Sequence, residues 1–425
     1  MTAAALTSAE AAARGVTTVR IDDVPDLLAL LPTDGALSWV RRGDGLVGWG
    51  EAARLEVSGS TALAEAAEWW EDFVAGTAVE DTVGVPGSGP LLFASIAFDP
   101  DRGTSVFVVP EVVVGRRDGV TWVTTTGAGD PRSAVVTATG PDDDGPAPRL
   151  RYADGALDPA SWCSAVATAV RRIQDGELEK VVLARDLVVT SDVALTQRQL
   201  LRRLAARFPD CWTFAVDGLL GATPELLLRR SGRTLSARVL AGTAPRGARG
   251  RDDDRLAAAL MGSAKDRSEH ALAVDSVVRA LQPYCSTLTA PQGPDLLTLA
   301  NVRHLASDVH GTQRRTGPRS RAGLLELIGA VHPTAAVGGT PTADAVALIA
   351  ELEGMDRGRY AGPVGWLDAR GDGEFGVALR CAEVSPDGST ARLFAGCGIV
   401  AGSEPAAELA ETQAKFAAFQ AALEG

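Results

Sequence analysis

Few residues in this chain are suited to acid–base chemistry, and several stand at the head of apolar segments. Lys180 opens the run Lys180-Val-Val-Leu-Ala-Arg-Asp-Leu-Val-Val189. A lysine there either reaches out to water along its stem or is enclosed, pushed towards its neutral amine, and usable as a general base. Glu225 leads a second apolar run, Ala222-Thr-Pro-Glu-Leu-Leu-Leu228. Solvated, it is a strand-end carboxylate; buried, its proton is held more tightly and it can act as a general acid. A base and an acid of this kind in one pocket would form a pair.

Carboxylates also recur at helical spacing. Asp266 and Glu269 are three apart beside His270, and Glu408, Glu411 and Lys415 follow one another at three and four residues. Each set shares one helix face. Each is either a solvated, ion-paired face or, with one carboxylate from each helix, a magnesium site, since that ion takes only one or two protein carboxylates beside water and substrate oxygens. Leu240-Ala-Gly-Thr243 and Ala395-Gly-Cys-Gly-Ile399 could bring backbone N–H groups to an anion. Arg380 offers a planar fork for a carboxylate. His304 and His332 are two of only four histidines; His304 could bond a substrate hydroxyl.

The elements that must position these groups read as a hairpin-rich mixture. Before residue 150, Leu37-Ser-Trp-Val40 and Leu46-Val-Gly-Trp49 flank Gly43-Asp-Gly45 as a hairpin. Strands are expected at 91–98, 105–114 and 120–125, with a helix at 62–74. Gly140-Pro-Asp-Asp-Asp-Gly-Pro-Ala-Pro148 reads as a solvated connector. Asp158-Pro159 starts a helix that Gly176 stops. Beyond the 180–189 strand come a helix at 197–208, a hairpin of 212–219 with 225–230, and one long helix at 254–281. Strands follow at 375–381 and 391–394, then a last helix at 405–423. Strands gathered in hairpins favour an α+β fold with antiparallel sheets over a doubly wound one.

Bulk properties narrow the classes. The chain has 425 residues, 46% hydrophobic and 22% charged, as in ordinary globular proteins. No apolar run approaches a membrane span, and residues 1–15 lack the basic-then-apolar order of a secretory signal, reading as a frayed or docking helix. Five scattered cysteines without CxxC spacing suit a reducing cytoplasm better than a disulfide framework or zinc site. A net charge of −13 disfavours nucleic acid and anionic membranes as partners.

The order of the motifs says more than any one of them. Lys180-Val-Val-Leu-Ala-Arg185, Pro224-Glu-Leu226, Leu240-Ala-Gly-Thr243, Lys265-Asp-Arg-Ser-Glu-His270, His304-Leu305, His332-Pro-Thr-Ala-Ala-Val337, Asp356-Arg-Gly-Arg-Tyr-Ala-Gly362, Val377-Ala-Leu-Arg380, Ala395-Gly-Cys-Gly-Ile-Val400 and Glu408-Leu-Ala-Glu411 resemble the signature blocks of the chorismate-utilising enzymes. That family includes isochorismate, salicylate, anthranilate and aminodeoxychorismate synthases. The resemblance is strong over residues 155–423 and looser before, through Gly50-Glu-Ala52 and Ile96-Ala-Phe-Asp99.

It implies two antiparallel sheets packed face to face with helices outside, an α/β sandwich around one site. Residues 1–150 would then be a strand-rich part intertwined with a catalytic part at 151–425, and the connector a surface loop. By resemblance Lys180 is the base that activates water at C2 of chorismate, and Glu225 the acid at the departing C4 hydroxyl. Glu269 and Glu411 match magnesium ligands, with Asp266 and Glu408 behind them. Arg380, Tyr360, Lys415 and the backbone around Gly396 and Gly398 would hold the enolpyruvyl carboxylate, with Thr243 and His304 lining the ring and Ala336 also in contact with substrate.

Within the family, Ala241 replaces the lysine nucleophile of aminodeoxychorismate synthases, and Lys180 points to water rather than ammonia. Ala336, where salicylate synthases tend to have threonine, favours stopping at isochorismate. Salicylate formation with pyruvate loss, or a non-catalytic anion-binding protein on the same fold, are the alternatives. A monomer without a glutaminase subunit is expected, and menaquinone and siderophore pathways stay open.

Overall fold

The computed structural model describes residues 15–136, 148–246, 250–299, 302–317 and 319–425. The expected N-terminal helix, except Gly15, and the connector up to Ala147 lie outside these residues. Among the described residues one sheet has 13 strands and the other 10. Pairing is antiparallel save for one parallel contact, Gly15–Arg20 with Ala78–Asp81. The sheets share a core in which Trp39 and Phe214 of the larger meet Phe93 and Trp366 of the smaller. A second core lies where Leu200, Leu204, Phe416 and Phe419 of two helices cover the larger sheet. This is the mixed α+β sandwich expected from the sequence. Strands from both sides of residue 150 enter each sheet: Leu37–Arg41 pairs Trp212–Val216, and Leu91–Ser95 pairs Pro363–Asp368.

The Lys180–Ser191 strand runs the length of its partner Thr390–Ile399 in the large sheet. Its β-branched, apolar sequence suits a site buried on both faces. The helix before it, Pro159–Gln174, starts where Asp158 accepts a bond from Ser161 N–H at 2.8 Å with Pro159 in the first turn.

Four expectations need correction. The single helix at 254–281 is two, Arg251–Gly262 and Ala264–Leu281, because Ser263 is extended and its side chain caps the second by accepting from Asp266 N–H. The hairpin of 212–219 with 225–230 is instead Trp212–Val216 with Leu219–Thr223, while Leu226–Ser231 belongs to the other sheet. The 375–381 strand is likewise two: Gly373–Val377 in the small sheet and Cys381–Val384 in the large. The expected 105–114 strand is also two: Ser105–Val109 in the small sheet and Val112–Arg117 in the large. Two of the passages between sheets, at 224–225 and at 378–380, lie on neighbouring strands. Glu225 and Arg380 sit on these crossings, and Arg380 takes the left-handed conformation, φ 50°, that the sharp passage demands.

Candidate active site

A cavity of about 80 Å³ lies beside the two crossings. It is lined by Glu225, Glu269 and Glu411, and by all eight residues expected to contact substrate: Thr243, His304, Ala336, Tyr360, Arg380, Gly396, Gly398 and Lys415. Lys180, Asp266 and Glu408 stand behind the lining. Lys180 is not a solvated strand end; it is wholly buried.

Lys180 Nζ lies 3.0 Å from Glu269 Oε1, yet makes no aligned hydrogen bond to any group, so the contact is one of charge and distance. Glu269 comes from the Ala264–Leu281 helix. The approach is permitted by Gly398, which faces Val182 on the adjacent strand. A Cβ there would meet Glu269 Oε1 at 2.1 Å and Lys180 Cε at 3.0 Å. Gly398→Ala is therefore expected to separate the pair and lower kcat by roughly 100-fold, the scale of an ångström's misplacement. Steady-state kinetics checks this, and a variant with unchanged kcat would show that the approach is dispensable.

Glu225 is 4% exposed. Burial pushes its carboxyl up to about 8, with Lys180 and the backbone N–H of Leu240 working against the rise. At neutral pH it is mostly protonated, the state a general acid needs.

The last helix, Pro405–Glu424, presents Glu408, Glu411 and Lys415 on one side. Lys415 Nζ pairs with Glu411 at 2.6 Å and donates to Gly396 O at 2.7 Å. Lys265 holds Glu408 at 2.7 Å. Burial raises the Glu411 carboxyl, and Glu269 and Glu408 add to the rise while Lys415 opposes it. Burial likewise raises Asp266, again with Glu269 and Glu408 contributing. The carboxylates thus repel one another, and Lys265 and Lys415 offset part of that repulsion. Among the described residues no three His, Cys, Asp or Glu side chains form a closed metal cage. Oxygen-only donors carrying excess negative charge nonetheless fit a hard divalent cation that needs one or two of them.

On the facing wall, Thr243 and His304 are cross-strand partners, brought opposite by a bulge at Gly242, whose φ is 77°. Arg380 Nη2 donates to His304 Nε2. That makes Nε2 an acceptor, so a neutral His304 carries its proton on Nδ1, 3.1 Å from Thr243 Oγ1. Burial, then the charges of Arg380 and Lys415, hold His304 well below the usual histidine range. Arg380 is therefore not a free fork: one arm is committed to His304, and Nη1 has no partner. Tyr360 stacks on Phe394 at 4.8 Å between centroids. His332 lies outside the cavity lining, with Nε2 3.0 Å from Phe98 O.

Two features of the site escaped the sequence reading. Arg357 lines the cavity, and Phe394 backs Tyr360. For Arg357 the available signal was Glu353 four residues earlier. His270 was noted only as a neighbour. It donates from Nδ1 to Ala241 O and accepts at Nε2 from Ser307, 2.8 Å away, tying the Glu269 helix to the bulged strand.

No helix among the described residues is long and apolar enough to cross a membrane. Residues 37–424 match the model of a family described as chorismate binding enzyme. A MenF-named protein of Mycobacterium tuberculosis is 41% identical over 79% of this chain and 87% of its own length. Isochorismate synthase MenF of Bacillus subtilis is 34% identical over 89% of this chain and 85% of its own. The structure of MenF, the menaquinone-specific isochorismate synthase of Escherichia coli, superposes with a TM-score of 0.78 at 26% identity, covering 96% and 94% of the two chains. With the sandwich, the ordered blocks and the enclosed polar cavity all in agreement, this chain belongs to the chorismate-binding enzyme family.

Proposed function

We propose that this chain converts chorismate to isochorismate, adding water at C2 as the hydroxyl leaves C4. The observation that carries the reading is Glu225, held in its protonated range in a cavity whose wall is backed by the buried Lys180. Lys180, acting as its neutral amine, takes the proton released by the attacking water, and Glu225 gives one to the departing hydroxyl. One water enters and one leaves, so the proton count closes. His304, oriented by Arg380, presents a neutral ring to the substrate, and Lys415 with the unpartnered Nη1 of Arg380 supplies positive charge for a substrate carboxylate. Ala241 provides no amine nucleophile, which favours water, and Ala336 favours release before pyruvate is lost. The names of the MenF relatives support the same reaction.

Glu269 and Glu411 are the residues suited to hold magnesium, with Asp266 and Glu408 adding negative charge around them. When bound there, the ion supplies a positive charge for the ring carboxylate.

Incubation with chorismate and Mg²⁺, with and without ammonium, followed by mass identification of products, tests the proposal. Isochorismate alone is expected in both. Salicylate with pyruvate would move the reading to the lyase branch, and anthranilate would overturn water as the nucleophile. EDTA is expected to abolish turnover, and Mg²⁺ to restore it; full activity in EDTA would sink the metal assignment.

A further inference from the structure

The Lys180–Ser191 strand has a complete neighbour on one side only. On the other, Gly339–Thr340 pairs with Lys180 and Val181, and Leu150–Asp154 pairs from Leu187 onward. Backbone groups between must find other partners or pay the cost of burial without one. Side chains supply most of them. Glu353 Oε1 accepts from Ala184 N–H at 2.7 Å. Arg357 Nη2 donates to Val182 O at 2.8 Å, and Nη1 donates to Val337 O at 2.9 Å. Trp162 Nε1 donates to Ala184 O at 3.2 Å.

Glu353 and Arg357 are joined by two contacts, at 2.5 and 2.9 Å, with side chains 1% and 3% exposed. The guanidinium also lies 4.2 Å from the Phe98 ring centroid and 5.9 Å from that of Tyr360. Its donors are thus largely spent on protein groups, although it lines the cavity. It is built to hold protein in place rather than to receive a substrate carboxylate.

We propose that Glu353 and Arg357 are a positioning pair, which locks the strand begun by Lys180 to the Ala336–Val337 segment and the Tyr360 ring and so sets where Lys180 acts. The proposal rests on the reading of Lys180 as the base. One guanidinium bonds two wall segments far apart in sequence, at Val182 and Val337, while also holding Glu353, and a planar fork is suited to doing so at once. Arg357→Lys keeps the charge beside Glu353 but cannot serve Val182 O, Val337 O and Glu353 together. Glu353→Asp keeps the ion pair and withdraws the acceptor from Ala184 N–H.

Both variants are expected to lower kcat by roughly 10- to 100-fold, with KM held within about threefold, because misplacement of a reacting group acts on the chemical step. A fold that is merely loosened would lose active protein and leave kcat per active site unchanged, so active-site titration accompanies the kinetics. Hydrogen exchange of the segment around Ala184 is expected to be slow in the wild type and faster in Glu353→Asp. Folded variants with wild-type kcat overturn the proposal, as does free exchange of the Ala184 amide in the wild type, a result that needs no variant to fold. A wild-type chain that makes no isochorismate would instead defeat the functional reading, leaving the exchange result to judge the clamp alone.

Discussion

Lys180→Met is expected to lower the rate of isochorismate formation by roughly 10²- to 10⁴-fold, the range that a positioned proton-transfer group contributes. Methionine matches the length of the lysine stem, so the variant removes the amine without opening a large void. The variant also leaves Glu269 without the charge 3.0 Å away. Losing one partner of a buried pair costs about 3–5 kcal/mol, and the remaining exposure of Glu269 and the alignment missing at Lys180 place this case at the low end. Denaturant unfolding, read beside the kinetics, separates the two consequences. A variant that folds and turns over within about tenfold of the wild type would remove Lys180 from the reaction.

Glu225→Gln should lower kcat by a comparable 10³-fold and, unlike the lysine change, should alter the pH profile in a specific direction. With its carboxyl at about 8, Glu225 is protonated below that value. Wild-type activity that depends on it is present at lower pH and falls as pH rises through about 8. The glutamine variant is expected to lose that alkaline limb.

Stability follows the same sign. The folded value lies above the unfolded one, about 4.5. Any stability tied to this group is therefore fully present below pH 4.5 and lost progressively up to about 8, on the order of 5 kcal/mol by linkage. Glu225→Gln, which cannot ionise, should show a smaller fall in melting temperature between pH 6 and 9. A wild-type profile flat across pH 8, together with an identical pH dependence of melting in the variant, would show that Glu225 ionises freely.

Local sequence was sufficient for much of the fold. The helices at Ala62–Ala75, Pro159–Gln174, Gln197–Arg207 and Pro405–Glu424 have boundaries near those expected, because proline starts and apolar periodicity act within a few residues. The break at Ser263 was legible in principle, since serine is a good cap, but the continuous helical pattern on both sides concealed it. The strands around 105–117, 212–231 and 373–384 were misassigned for a different reason. Periodicity shows that a residue is buried in a strand, not which of two sheets the strand joins.

The site divides along the same line. Residue types and spacing by themselves placed Asp266 with Glu269, and Glu408 with Glu411 and Lys415, on shared helix faces, because the helix repeat is a local property. Composition alone disfavoured a nucleic-acid partner, and the order of the motifs pointed to the family. Spacing left Lys180 undecided between a snorkelling strand end and an enclosed amine, since the difference lies in what packs over it. Only the tertiary structure decided that. Gly398 on the neighbouring strand admits Glu269 to the buried amine, and the paired crossings between sheets carry Glu225 and Arg380 into one cavity. Arg357, whose only local signal is Glu353 four residues earlier, bonds segments far apart along the chain. Burial and long-range contact decide what such groups can do, and neither is encoded in the few residues around them.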